Sequence, residues 1–236
     1  MVERTVEIDI RPYEGQKAAE FEIGGVKRTG RVDQVEPDLW IVGNDPECFN
    51  DIAFIEQTSE KMAELLRPYN VDCLFAPATR AIMTAFKTAE LLGHSQIAIA
   101  RKNIFPEAPI ILEEPTRSIT SGKEEKIMID GETAEILKGK RVAIFDDVIS
   151  QGGTVKGLMG LARQAGAEIV AISTVGIEGT APYNVFEEEF RQGKLVYLAV
   201  LPLFAQGQIY TNLMEEKGKV EERFRYLPTS KSVLKP

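Results

Sequence analysis

The chain has 236 residues, 44% of them hydrophobic and 27% charged, which suits one substantial core with a small accessory lobe. Its net charge of -8 argues against nonspecific nucleic-acid binding, which needs an excess of Lys and Arg to neutralise phosphates, but it leaves room for a local cationic site. One histidine, two cysteines outside any CxxC pair and no apolar run near the ~20 residues of a bilayer span argue against a transition-metal site, a disulfide framework and a membrane segment. The amino terminus lacks the apolar stretch of a signal peptide, so the cytoplasm is the expected compartment.

The first fifty residues alternate with period two: Val6, Ile8 and Ile10 form one stripe, Phe21 and Ile23 another before Gly24-Gly25, and Val32, Val35, Leu39 and Ile41 suggest further short strands. This predicts a small antiparallel lobe over residues 1–50, ended by Asn44-Asp45-Pro46. Cys48 falls in a polar turn and carries no assigned chemistry, while Cys73 reads as a small buried hydrophobe. From residue 52 the rhythm becomes helix–strand alternation. Met62, Leu65, Leu66 and Tyr69 keep helical spacing up to Pro68; Val71 to Phe75 reads as a buried strand; Ile82, Phe86 and Ala89 line the next helix, closed by Gly93. His94 suits that helix end as a cation on the dipole. Ile97 to Ala100 is a further strand.

A long polar segment follows from Arg101 to about Lys126, longer than ordinary connections, and reads as a functional lid or local disorder with a short strand at Ile127-Met128-Ile129. Val142 to Phe145 is a strand, Thr154 to Ala165 a helix with Gly166 as its cap, and Ile169 to Val175 and Val196 to Val200 are strands. The expected fold is therefore α/β: a mainly parallel sheet flanked by helices over residues 51–203, with a small strand-rich lobe in front. Residues 204–236 form an irregular tail whose Glu215-Glu216-Lys217 and Glu221-Glu222-Arg223 clusters read as solvated surface.

The informative stretch is Val142-Ala143-Ile144-Phe145-Asp146-Asp147-Val148-Ile149-Ser150-Gln151-Gly152-Gly153-Thr154. A buried strand leads into paired carboxylates, and a loop with two glycines and two hydroxyls then opens a helix. In open α/β sheets ligands bind beyond the carboxyl ends of the strands. Gly152 and Gly153 allow backbone N–H groups close to an anion at a helix N-terminus, and Ser150 and Thr154 add hydroxyl donors. One loop thus offers acceptors for sugar hydroxyls and donors for a phosphate. It is neither a Walker A loop nor a GxGxxG fingerprint.

This stretch resembles the 5-phosphoribosyl 1-pyrophosphate signature of the type I phosphoribosyltransferases, and its Asp-Asp form is similar to the adenine and xanthine enzymes and to the purine operon repressor. The resemblance extends over roughly residues 58–202. It implies that Asp146 and Asp147 contact the ribose hydroxyls and hold Mg2+, and that Ser150, Gln151, Gly152, Gly153 and Thr154 cradle the 5-phosphate. Ala78-Thr79-Arg80-Ala81 takes the place of the pyrophosphate loop, keeping Thr79 and Arg80 but departing from the Glu-Ser-Arg-Gly of adenine enzymes at Ala78 and Ala81. Arg101-Lys102 resembles the basic pair that meets the pyrophosphate. Residues 116–123 stand where the family has a closing loop, with Lys123 as its catalytic cation, and Glu178 stands where purine enzymes contact the base. The amino-terminal lobe and the tail would form a hood over that base.

The resemblance implies a transfer in which a purine base, adenine favoured, displaces pyrophosphate from ribose C1. The expected partners are 5-phosphoribosyl 1-pyrophosphate and the base, neither nucleic acid nor membrane, and a second copy of the chain as a homodimer. The rival reading is a noncatalytic regulator that keeps the sugar-phosphate site. An acidic chain whose front lobe reads as strands rather than helix-turn-helix disfavours it.

Overall fold

The computed structural model describes residues 6–43, 48–103, 111–117 and 124–225. The predicted turn at Asn44-Asp45-Pro46, residues 118–123 of the lid and the last residues of the tail lie outside them. Four strands come first: β1 (Ile10–Pro12), β2 (Ala18–Ile23), β3 (Val26–Glu36) and β4 (Leu39–Val42). Helix α1 (Ile52–Leu66) begins at Asp51, whose side chain accepts a hydrogen bond from the Phe54 amide at 3.1 Å, a capping contact that satisfies one of the free donors of the first turn. Then come β5 (Cys73–Pro77), α2 (Ala81–Leu91), β6 (Ala98–Ala100), β7 (Ile111–Arg117), β8 (Glu124–Asp130) and α3 (Gly131–Leu137). The chain continues through β9 (Arg141–Ile149), α4 (Gly153–Gln164), β10 (Glu168–Glu178), α5 (Ala181–Val185), α6 (Glu187–Gln192), β11 (Leu195–Leu201), β12 (Leu203–Ala205) and α7 (Gly207–Phe224).

The central sheet has the order β11-β10-β9-β5-β6, parallel throughout. Both of its faces are covered, which is why its strands are near-continuous apolar runs. Ile144, Ile172 and Phe75 belong to one buried cluster, Phe145, Ala171 and Leu74 to the other. A second sheet, β1-β12-β4-β3-β2, is antiparallel except where β1 runs parallel to β12. Through β12 the chain returns from the core to the amino-terminal lobe.

The structure differs from expectation in four places. Helix α2 buries Ala81, Thr84, Ala85, Thr88 and Ala89, leaving Phe86 58% exposed and Ile82 half-buried. Small residues on the inner face let α1 approach closely, with Ser59 Oγ donating to the Thr84 carbonyl at 3.3 Å, and that outweighs the larger apolar side chains. Cys48 is buried beside Phe49 and Phe54 rather than set in a polar turn. Within the stretch from Arg101 to Lys126, residues 111–117 and 124–126 belong to an antiparallel ribbon of β7 on β8, which α3 follows with Asp130 accepting from the Thr133 amide at 2.8 Å. The tail is not irregular: α7 carries Tyr210, Leu213, Lys217, Val220 and Phe224 at three- and four-residue steps along one face, with Val220 and Phe224 buried. Among the described residues no helix is long and apolar enough to cross a membrane.

Candidate active site

Four parallel strands end at one cleft of about 820 Å³. β5 delivers Ala78, Thr79 and Arg80, joined through a cis Ala78–Thr79 peptide; β6 delivers Arg101 and Lys102; β9 delivers Asp146 and Asp147; β10 delivers Glu178. The loop Ser150-Gln151-Gly152-Gly153-Thr154 lines the same cleft. Every predicted site residue within the described part of the chain is therefore brought together; Lys123 lies outside it.

Strand β9 runs four residues beyond the predicted end, so both aspartates sit on paired backbone, Asp146 opposite Thr174 and Val148 opposite Gly176. Two hydroxyls of β10 brace this stretch: Ser173 Oγ donates to the Ile144 carbonyl at 2.9 Å, and Thr174 Oγ1 to the Asp147 carbonyl at 3.0 Å. Neither brace was anticipated, since a Ser-Thr pair within an apolar run carries no sign of what it faces. The carboxylates are 6% and 8% exposed. Asp146 Oδ1 accepts from the Asp147 amide at 2.9 Å, and Arg80 Nε lies 3.0 Å from Asp147 Oδ2. Burial and then the neighbouring Asp147 charge push the Asp146 carboxyl well above its ordinary range.

Past the aspartates, Gly152 takes φ 76° and caps α4, and a Cβ there would meet the Phe186 ring at 2.8 Å. Both the left-handed backbone and the close packing require glycine. The loop and the N-terminus of α4 thus line the cleft together, an arrangement suited to a phosphate. Glu178, also buried, has its carboxyl raised to about 7 by desolvation, against a lowering hydrogen bond with Ser150.

The amino-terminal lobe and the tail were expected as a hood and Thr116 as part of the lid, but the particular residues that form the other walls were not singled out. Val35, Glu36, Leu39 and Ile41 line the cleft from the amino-terminal sheet, Leu203 from β12, and Leu213 and Glu216 from α7. Glu216, expected as solvated surface, accepts a hydrogen bond from Asn184 Nδ2 at 2.7 Å, and its neighbour Lys217 donates to the Ile8 carbonyl at 2.7 Å. Thr116, Glu125 and Ile127 of the ribbon form another wall. The helical stripe on α7 was the available signal for the first group; for the ribbon it was the period-two run Ile127, Ile129 extended back to Glu125.

A parallel sheet with carboxylates, a glycine-hydroxyl loop and cations converging at its strand ends is an α/β arrangement suited to a sugar phosphate. The profile of the phosphoribosyl transferase domain matches residues 50–183, more than half of the chain, and the chain belongs to that family. It is 30% identical over 153 residues to the adenine phosphoribosyltransferase of Thermosipho africanus, covering 64% of this chain and 83% of that one. It is 26% identical over 122 residues to the orotate phosphoribosyltransferase of Caldanaerobacter subterraneus, covering 52% of this chain and about half (53%) of that enzyme. The crystal structure of adenine phosphoribosyltransferase from Thermoanaerobacter pseudethanolicus superposes with a TM-score of 0.57 at 19% identity, covering 72% of this chain and 95% of that one, which establishes the shared fold.

Proposed function

We propose that the protein transfers a 5-phosphoribosyl group from 5-phosphoribosyl 1-pyrophosphate to a purine base, adenine favoured, releasing pyrophosphate. The observation that carries this reading is the single cleft in which Asp146, Asp147 and the 150–154 loop face Arg80, Arg101 and Lys102. Such a cleft meets all three parts of the activated sugar: hydroxyls, 5-phosphate and leaving group.

The chemistry follows from where charge develops. As the C1–oxygen bond breaks, positive charge builds on the ribose ring and negative charge on departing pyrophosphate. Arg80, Arg101 and Lys102 are the groups to stabilise the latter, and preorganised charges of this kind carry most of the catalysis. Asp146 and Asp147 hold the ribose hydroxyls and place negative potential beside the ring. Thr79 lies in the same loop as Arg80 and offers a hydroxyl to the pyrophosphate. Ser150, Thr154 and the amides of residues 151–153 hold the 5-phosphate.

Mg2+ is the implied cofactor, and the residues fit it. Two adjacent carboxylates are buried here with Arg80 as their ion-pair partner on Asp147, and burial followed by the Asp147 charge raises the Asp146 carboxyl, so the pair has negative charge to offer a second cation. No group of three or more metal-ligating residues occurs among the described residues, as suits an ion held largely by substrate oxygens and water. When bound, it would supply charge neutralisation at the pyrophosphate.

Adenine is favoured because the base end of the cleft joins apolar Leu39, Ile41 and Leu203 to Glu36, Glu178 and Glu216. Carboxyl groups there suit the exocyclic amine and disfavour the carboxylate of orotate. The relation to adenine enzymes points the same way. The cytoplasm is the compartment that goes with phosphorylated substrates. A second copy is the partner we assign to a surface where Ile52, Met83 and Phe86 stand 75%, 51% and 58% exposed; sedimentation of the full chain tests it. For the reaction, pyrophosphate release is measured with adenine, hypoxanthine, guanine, xanthine, uracil and orotate. Adenine turnover well above the others is expected, and orotate turnover would refute the assignment. Binding of the sugar substrate without turnover of any base would establish the regulator instead.

A further inference from the structure

Lys102 meets a carboxylate in this structure: its Nζ lies 2.5 Å from Glu125 Oε2 on β8. The pleat puts Glu125 there. Residues 125, 127 and 129 share one face of β8, and Ile127 and Ile129 are buried, so the inward face of the ribbon ends in a carboxylate at the cleft wall. On the opposite face Lys126 pairs with Glu113 at 2.7 Å in solvent. The backbone fastens the same junction, because the Arg101 amide donates to the Met128 carbonyl at 2.9 Å and the Met128 amide to the Arg101 carbonyl at 2.8 Å. The ribbon and the basic pair therefore hold each other in register.

Building on the transferase reading of the cleft, we propose that Glu125 is an internal counter-ion that occupies Lys102 and must yield it to pyrophosphate, and so sets the affinity for the pyrophosphate group. The contact is suited to exchange. Lys102 and Glu125 side chains are 56% and 28% exposed, and pairs of this kind are weakly held. An arriving polyanion offers Lys102 more negative charge than one carboxylate, but Glu125 remains on the ribbon beside it and repels it. The same repulsion assists departure of the product. Glu125 is thus a positioning residue that keeps affinity for both pyrophosphate-bearing molecules below what the cations alone would give.

The test is titration calorimetry of the full chain with inorganic pyrophosphate, and with 5-phosphoribosyl 1-pyrophosphate, in the presence of Mg2+. Removing one like charge at a partly exposed site should tighten pyrophosphate roughly three- to tenfold in Glu125→Gln. Glu125→Ser, which cannot replace the hydrogen bond, should do the same. Glu113→Gln makes the identical charge change on the outer face and should leave binding unchanged. Lys102→Met should weaken binding, and adding Glu125→Gln to it should gain less than about twofold, because the competition needs the lysine. Unchanged affinity in both Glu125 variants would overturn the proposal, as would an equal gain with and without Lys102, which would indicate a general field effect. Failure of the wild-type chain to bind either ligand would overturn the reading of the cleft itself and this proposal with it. Wild-type binding that is indifferent to Glu125 overturns only the latter.

Discussion

Glu178→Gln tests whether the end of β10 holds a neutral carboxyl, using stability in the absence of any ligand. Glu178 is 5% exposed, and burial raises it from 4.5 to about 7. Below pH 4.5 the folded and unfolded chains both carry the proton. Between 4.5 and about 7 the unfolded chain releases it while the folded chain keeps it, so this group's contribution to stability is present at low pH and lost as pH rises through 7. A rise of this size, at about 1.4 kcal/mol per pH unit, amounts to about 3 kcal/mol. Glutamine is neutral at every pH. The stability of Glu178→Gln relative to wild type should therefore climb by about 3 kcal/mol between pH 4 and pH 8, roughly 6–12 °C in melting temperature for a chain of this size. Taking the difference between the two proteins cancels the titration of Asp146, which remains in both. Urea unfolding or thermal melts at half-unit pH steps give the measurement. A difference that stays constant from pH 4 to 8 would show that the folded chain ionises Glu178 at its ordinary value, and that the pocket is wetter than its burial implies.

Three further outcomes follow from the same geometry. Asp147→Asn should lower turnover by about a hundredfold or more while raising the melting temperature at neutral pH, since it removes the charge that crowds Asp146; a loss of folding would mark the carboxylate as structural. Gly157→Val should destabilise by about 1–3 kcal/mol in urea unfolding, because even a Cβ at Gly157 would lie 2.7 Å from Thr116 Cγ2 and 2.8 Å from Ile127 Cδ1 of the ribbon; unchanged stability would mean that the ribbon is loosely seated on α4. Mg2+ with 5-phosphoribosyl 1-pyrophosphate should raise the melting temperature, by an amount equivalent to about 2.7 kcal/mol at a hundredfold excess over the dissociation constant; the absence of any shift at millimolar ligand would remove the sugar-phosphate site.

The core was legible because parallel strands buried on both faces leave long apolar runs, and the 142–154 signature was legible because it packs strand, acids, glycines and hydroxyls into one contiguous segment. What escaped notice was built from residues distant in sequence or small in size. On α2 the large side chains Met83 and Phe86 face outward while alanines and threonines face α1; size attracts attention, but close helix packing selects for its absence. The stripe of α7 is interrupted by Lys217, whose ammonium reaches the Ile8 carbonyl, so an apolar pattern alone does not reveal the buried side. The hood-side carboxylates Glu36 and Glu216 look like any surface charge until β12 and α7 fold back onto the amino-terminal sheet.

The cleft's charges favour a ligand of one particular composition. Without substrate, two of the three cations assigned to the leaving group are balanced by carboxylates, Arg80 by Asp147 and Lys102 by Glu125. A ligand that brought only anionic groups could draw both cations away, but it would leave Asp147 buried with an uncompensated charge next to Asp146, at a cost of several kcal/mol. One that brought only hydroxyls could satisfy the aspartates yet give the cations nothing. 5-Phosphoribosyl 1-pyrophosphate carries vicinal hydroxyls for the first pair and a polyanion for the second, a few bonds apart on one ring. On the proposed reading, each exchange would replace an internal ion pair with a contact to the ligand. On that same reading, the Lys102–Glu125 pair stands at the leaving-group end, where the contact would be remade after every turnover, while Asp147, less exposed than Glu125, would hold the ribose and release Arg80 to the pyrophosphate.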